Sequence, residues 1–477
     1  MFFQEGLLAK YIPGFVLIFF FCSLQADMFR IRIEKDDEYL KHFAGMLDVA
    51  GAGKTSDGTI ELMVNAVESD IELLGEFGIV DEIVENIEIT PDYYDLDQIY
   101  ERVDGLEKSS GGRAQVFVIG RSIEDREIKA VRISKNNSDA DLPEILLAGT
   151  HHAREWISYE VPLSIAEFIV ENMDSNPYVS DILERSVIWL VPVLNPDGYV
   201  YSRDQERYWR YNRRINPDMT VGVDLNRNYD SSWMQVEYVH GTGPFSEPET
   251  VAIRDLMKNS FEKPFENGIK SLDGLITYHS YGQMILYPPG STNDPAEKSE
   301  YYNELASKMA ELTFSECGSV YLVMQTSGLY FTFGEMTEWF MNSFDGKPSF
   351  TIELRPHMNG VNDFVLPAGQ IMDTVKENIT PAMYLIEHII TGKTAINMDN
   401  DGNGKNDVIE NTRYDYKCDR SDLELPDFEN NSEPDDSFEE PDDDLGSDKD
   451  KNDEMPDAFF DGDPSSGGGG CSFISGD

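Results

Sequence analysis

Eight consecutive residues, Gly149-Thr150-His151-His152-Ala153-Arg154-Glu155-Trp156, combine side chains that bind metals with one that binds anions. They follow an apolar run, Ile145-Leu146-Leu147-Ala148, that reads as a buried strand. A histidine and a glutamate three residues apart, just past a strand end, can point at one ion. Imidazole nitrogen and carboxylate oxygen are ordinary zinc ligands, and a catalytic zinc takes three protein ligands while leaving a fourth position open. A third ligand must therefore come from elsewhere. The chain has seven histidines. His42 lies in an N-terminal segment, His388 in an apolar helical run, and His240 and His357 in loops. His151, His152 and His279 stand at the ends of buried strands, the last in Leu275-Ile-Thr-Tyr-His279-Ser-Tyr. Alone, His279 reads as a core histidine. Beside a strand-end His-x-x-Glu, a shared metal site is the better reading.

Glu353 stands inside an apolar strand, Ser349-Phe-Thr-Ile-Glu353-Leu-Arg. A carboxylate there is costly to bury without a partner or a task. Near a metal it could take a proton from bound water, whose pKa the metal lowers. Pairing with Arg355 is the competing reading. Arginines recur in two loops, Tyr208-Trp-Arg210-Tyr-Asn-Arg-Arg214 and Gly222-Val-Asp-Leu-Asn226-Arg227-Asn. Guanidinium forks bind carboxylates bidentately, although any one of them could pair with a local acid in so acidic a chain.

Strands and helices must hold these residues in place. A helix over about 96–106 is followed by strands at 114–120, 128–134 and 144–148. An amphipathic helix at 158–172 and a buried strand at 188–194 come next, ending in the turn Asn195-Pro-Asp-Gly. This alternation predicts an α/β sheet with working residues at strand ends. Ahead of it, residues 27–90 alternate as a small βαββαβ-like unit and carry no catalytic cluster. Residues 1–26 contain a short apolar run that suits a secretion signal better than a membrane span. An N-terminal membrane anchor is the alternative.

The C-terminal part changes character. Within residues 395–418, Asp399, Asp401, Asn403, Asp407 and Glu410 fall at positions 1, 3, 5, 9 and 12 of a calcium-loop pattern, with Gly404 at position 6. No partner hand flanks it, so an Asp/Asn/Gly-rich linker is the alternative. Residues 419–477 are acidic and nearly free of apolar periodicity, which predicts disorder. Gly467-Gly-Gly-Gly-Cys471 looks weakly like the junction before a cell-surface sorting tail, but no apolar segment follows. The net charge of −51 argues against nucleic-acid binding, which needs basic patches. The four cysteines match no metal motif. Cys317 and Cys418 could form a disulfide, and an unpaired buried Cys317 is at least as good a reading.

Six motifs then follow one another in order: His-Ala-Arg-Glu-Trp, Tyr-Trp-Arg, Gly-Val-Asp-Leu-Asn-Arg-Asn, Gly-Pro-Phe-Ser-Glu-Pro-Glu, Thr-Tyr-His-Ser-Tyr and Phe-Thr-Ile-Glu-Leu-Arg. Together they resemble the zinc carboxypeptidases of the carboxypeptidase A/B type, most closely the bacterial carboxypeptidase T branch. The resemblance implies a catalytic domain over 91–394, built on a central mixed eight-stranded sheet flanked by helices. It makes 27–90 similar to the family's α+β propeptide. It implies a secreted, monomeric zinc exopeptidase whose peptide or protein substrate ends in a free carboxylate.

The same resemblance makes His152, Glu155 and His279 the zinc ligands. Only His152 has Arg154 two residues on and Glu155 three residues on. It makes Glu353 the general base toward zinc-bound water and then the acid. Arg210 polarises the scissile carbonyl, Asn226 and Arg227 bind the terminal carboxylate, and Arg154 forms an outer anion site. Asp224 orients His152. Tyr330, nine residues before Trp339, matches the family's mobile tyrosine, with Tyr321 as fallback. Thr337 would floor the side-chain pocket, and Glu335 near its rim could attract Lys or Arg. A cell-wall peptide amidase of the same fold and an inactive calcium-dependent binding protein are the alternatives. An inhibitory propeptide would need cleavage near residues 88–95. No Lys or Arg lies between Lys54 and Arg102, so a trypsin-like protease could not make that cut.

Overall fold

The computed structural model describes the backbone of residues 27–33, 48–54, 60–66 and 80–84. With side chains it describes residues 93–135, 142–236, 238–259, 272–357, 364–396, 398–399 and 406–418. The N-terminal strands are β1 (Asp27–Ile33), β2 (Asp48–Lys54), β3 (Ile60–Ala66) and β4 (Val80–Val84). They form an antiparallel sheet in the order β2-β3-β1-β4. The two helices of the expected βαββαβ-like unit lie outside the described residues.

The second sheet contains β5 (Ala114–Arg121), β6 (Glu127–Ile133), β7 (Glu144–Gly149) and β8 (Val187–Val191). It is completed by β9 (Leu272–Ser280), β10 (Met284–Tyr287), β11 (Leu322–Gln325) and β12 (Ser349–Leu354). Its order is β11-β10-β12-β9-β7-β8-β6-β5, the mixed eight-stranded sheet expected from the sequence. The four central strands, β12, β9, β7 and β8, run parallel. Their carboxyl ends therefore open on one edge, where ligands of open α/β sheets bind.

Residue alternation divides the interior in two. On β7, Ile145 and Leu147 join one apolar cluster while Leu146 and Ala148 join the other. On β8, Ile188 and Leu190 separate from Trp189 and Val191 in the same way. Both faces are covered, which is why these strands read as unbroken apolar runs. Helices α1 (Leu96–Ser109), α2 (Ile157–Asn172) and α3 (Pro177–Arg185) contribute to the first cluster. A nine-residue helix, α4 (Pro196–Asp204), follows β8. Helix α5 (Pro248–Lys258) lies in the second cluster. Helix α6 (Ser299–Cys317) and the long α8 (Ala368–Thr391) belong to the first cluster, and α7 (Met336–Ser343) to the second. Local chemistry sets several ends. Asp95 and Gln98 form a reciprocal capping box on α1, and Gly392 closes α8 in the left-handed region.

Residues 406–418 fold back onto this body. Val408 and Tyr414 are fully buried in the first cluster. Asn176 Nδ2 donates to the carbonyls of Asp407 and Val408 at 3.1 and 3.0 Å. Cys317 and Cys418 are joined by a disulfide across 101 residues, which settles the open choice for that pair. Asp401 and Asn403 of the expected calcium loop lie outside the described residues. No helix among the described residues is long and apolar enough to cross a membrane.

Candidate active site

The carboxyl edge of the parallel strands gathers the expected residues. In the register of β12 against β9, Glu353 lies directly beside His279. On β9, Leu275, Thr277 and His279 share one face because side chains alternate. The chain leaves β7 at Gly149 and turns through Thr150, which has a positive φ of 54°, bringing His151 and His152 over the strand ends. The peptide of Ala153 donates to the Arg210 carbonyl at 2.9 Å, tying this turn to the arginine loop.

Three donor groups face each other here. His152 Nδ1 is 2.6 Å from Glu155 Oε1, His279 Nδ1 is 3.0 Å from Glu155 Oε2, and the two Nδ1 atoms are 3.1 Å apart. Asp224 Oδ1 lies 3.1 Å from His152 Nε2. A nearby guanidinium, that of Arg210, and His152 hold the Asp224 carboxyl well below the usual carboxylate range against the push of burial. An ionised carboxylate accepts only, so Asp224 favours the His152 tautomer with the proton on Nε2, the one whose Nδ1 lone pair can face a metal. Two imidazole nitrogens and a carboxylate, all buried, make a donor set of the kind that holds a zinc ion. Among the described residues the other cysteine- or histidine-containing cluster is the Cys317–Cys418 disulfide with Asp373.

Asp224 also accepts from Arg210 Nε at 2.8 Å and from the Asn226 peptide at 2.9 Å. One carboxylate thus fixes a donor histidine, an arginine and the start of the 3₁₀ turn Leu225–Arg227. Asn226 Oδ1 accepts from the Met336 peptide at 3.0 Å, so its amide group is oriented from behind. Arg227 passes close to Gly334, where a Cβ would come within 2.4 Å of the Arg227 carbonyl oxygen. Gly334 also has a φ of 75°, a second reason for glycine there.

His152, Glu155, Arg210, Asn226, Arg227, His279, Tyr330, Glu335 and Glu353 all line one pocket. Burial and the negative charge of Glu155 push the Glu353 carboxyl well above its usual range, and Arg210 and Arg227 oppose them. A dication on the donor cluster would oppose them further. Arg355, the competing partner of Glu353, is engaged elsewhere: its Nε donates to Glu377 Oε1 at 2.9 Å. Tyr321 donates to the same Glu377 at 2.9 Å and is not on the pocket wall, whereas Tyr330 lines the pocket together with Tyr281.

Two expected site residues are not brought to the pocket wall. Arg154 is fully buried, with Phe364 stacked on its guanidinium at 4.4 Å and its Nη1 donating to the Tyr208 carbonyl at 3.3 Å. Thr337 sits behind Glu335, donating to Oε1 at 3.2 Å. Glu335 itself reaches the cavity and accepts from Thr332 Oγ1 at 2.9 Å. Burial and the neighbouring Glu338 carboxylate raise the Glu335 carboxyl to about 7. Gly290 keeps space open beside it, since a Cβ there would lie 2.9 Å from Glu335 Oε1. Thr332, Met284, Leu286 and Thr351 line the pocket, and Gly290 borders Thr332 and Glu335; sequence reasoning missed all five. Thr351, two residues before Glu353 on one strand, was within reach of the alternation rule. Gly290 and Thr332, in loops, were not.

A family model described as zinc carboxypeptidase matches residues 99–381. The chain belongs to the zinc carboxypeptidase family and is a metallocarboxypeptidase, a hydrolase. It is 33% identical to carboxypeptidase A4 of Mus musculus over 310 residues, covering 62% of this chain and 70% of that one. It is 30% identical to carboxypeptidase O of Bos taurus over 308 residues, 62% of this chain and 79% of that one. The crystal structure of carboxypeptidase A from Helicoverpa armigera superposes with a TM-score of 0.64 at 23% identity, over 77% of this chain and 98% of that one. That superposition speaks for the fold. These relatives are animal enzymes, and the narrower likeness to the carboxypeptidase T branch stays an expectation.

Proposed function

We propose that this chain is a secreted exopeptidase that hydrolyses the last peptide bond of peptides and proteins, with His152, Glu155 and His279 holding its zinc. The observation that carries this reading is the single pocket in which three metal donors, Glu353 and the Asn226–Arg227 pair converge. Zinc, when bound, supplies Lewis acidity toward a carbonyl oxygen and toward water. The side chains do the rest. Asn226 and Arg227 grip the terminal carboxylate of the substrate and so place the last peptide bond over the metal donors. Arg210, held by Asp224, donates to the carbonyl oxygen as negative charge grows on it. Glu353 takes a proton from the attacking water and delivers it to the leaving amine. Tyr330 closes the substrate side of the pocket. The Cys317–Cys418 disulfide fits an oxidising compartment and so supports secretion.

Glu335 gives the pocket an acidic wall, supported from behind by Thr332 and Thr337. A Lys or Arg side chain entering there meets a carboxylate, while Met284 and Leu286 offer an apolar wall to uncharged side chains. Mixed specificity follows, with the basic share rising as Glu335 ionises. Nothing about the site favours an inactive binding protein, since the donor set and Glu353 are all in place. Calcium on Asp399–Glu410 is a separate proposal, supported by the loop pattern alone.

Release of single C-terminal residues from ordinary peptides tests this reading against a wall-peptide amidase. Blocking the terminal carboxylate as an amide should abolish cleavage. Equal rates on the free and blocked peptides would rule out the Asn226–Arg227 role.

A further inference from the structure

Each donor histidine has a second ring nitrogen, and only that of His152 is answered by a carboxylate. The second nitrogen of His279, Nε2, lies 3.3 Å from Thr277 Oγ1. The same hydroxyl lies 3.3 Å from His151 Nδ1. His151 Nε2 is in turn 2.8 Å from the Tyr229 hydroxyl. The His151 and His279 rings stack, their centroids 5.2 Å apart and their planes 20° from parallel. Thr277, His151 and Tyr229 are all fully buried. The His151 carbonyl is anchored by Asn195 Nδ2 at 3.1 Å. His151 is thus built into the interior, although it takes no part in the donor cluster.

We propose that Thr277 and His151 are positioning residues that fix the tautomer and ring orientation of His279. With the Thr277 hydroxyl proton used along the chain, it can run in only two senses. In one, Tyr229 donates to His151 Nε2, His151 Nδ1 donates to Thr277, and Thr277 donates to His279 Nε2. That sense leaves the His279 proton on Nδ1, in the mouth of the cation site. In the other, His279 Nε2 donates to Thr277 Oγ1, Thr277 donates to His151 Nδ1, and His151 Nε2 donates to Tyr229. Only the second presents a bare Nδ1 to a metal. Cation binding therefore selects the second sense, and the preformed chain stabilises the bound ligand in return. The two ligand histidines are oriented by different chemistry: His152 by a carboxylate, His279 by a hydroxyl relayed through another imidazole.

This inference rests on the proposed zinc ligands, and the test separates the two. Zinc content and zinc affinity of the full chain are measured by competition with a chromogenic chelator, with the melting temperature of the zinc-free protein alongside. The parent protein should hold one zinc and His279→Ala should lose it. If His279→Ala keeps the metal, the ligand reading and this inference both fall. Thr277→Val preserves the branched shape on the strand and removes only the hydroxyl. It should weaken zinc binding about tenfold, with the zinc-free melting temperature near that of the parent. Thr277→Ser should restore parental affinity, and His151→Leu should weaken it as Thr277→Val does. If Thr277→Val holds zinc as tightly as the parent while His279→Ala loses it, the positioning role is overturned and the ligand reading stands.

Discussion

Glu353, half-buried, and Glu335, buried, are two carboxyls in one pocket, with different neighbours and different work. Glu353 stands beside the donor cluster, and Glu353→Gln keeps its volume while removing its basicity. Turnover should fall by ~10²–10⁴-fold with one zinc still bound, read from steady-state rates and metal analysis. Activity that survives this change would remove Glu353 from the mechanism. Glu335 stands away from the donors, raised to about 7 mainly by burial. Selectivity for C-terminal Lys over an uncharged residue should therefore rise between pH 6 and pH 8 as this carboxyl ionises. Glu335→Gln should flatten that profile and cut Lys release by about 30-fold or more. Stability moves the opposite way. The folded state keeps the Glu335 proton up to about 7 whereas the reference carboxyl releases it near 4.5. The stability it contributes is complete below the lower value and lost as pH rises through the higher one. Glu335→Gln should thus gain ~1–3 kcal/mol relative to the parent at pH 8 compared with pH 4, as read by denaturant unfolding at both pH values.

At the scale of elements, the strand ends were the legible part. Apolar runs at 145–148, 188–194 and 275–278 marked β7, β8 and β9, because strands covered on both faces cannot hide their composition. His279 and Glu353 were readable as the polar terminations of such runs. The order of strands was not readable from periodicity, since β12 enters between β10 and β9 through long-range pairing. Nor was the pocket floor. Thr337 was placed there by the family resemblance, yet the first turn of α7 points Thr337 behind Glu335. The short β2, Asp48–Lys54, was missed because Val-Ala-Gly-Ala-Gly carries little strand signal. The segment 406–418 is also fastened by an element-level device. Reducing the Cys317–Cys418 disulfide, which spans 101 residues, removes a loop constraint worth roughly 3–5 kcal/mol. Cys418→Ser should lower the unfolding free energy by about that amount and expose residues 406–418 to proteolysis. Unchanged protection there would mean that Val408, Ile409 and Tyr414 hold the segment without the bond.

For the whole molecule, activity must be reconciled with a second, N-terminal sheet. If residues 27–90 inhibit, the uncut chain should be nearly inactive and a protease that cuts beside acidic or apolar residues should switch it on. Trypsin should not cut at the junction, because no Lys or Arg lies between Lys54 and Arg102. Full activity of the uncut chain would remove the inhibitory role and leave the catalytic reading untouched. The catalytic claim itself is that one zinc on His152, Glu155 and His279, one base at Glu353 and one carboxylate grip at Asn226–Arg227 remove residues singly from a free C-terminus. The most direct measurement is the time course of residues released from a mixed set of peptides by the processed enzyme, with and without a zinc chelator. Stepwise release of single C-terminal residues, stopped by the chelator and restored by added zinc, is the expected result. Internal cleavage, or release that persists without zinc, would contradict it.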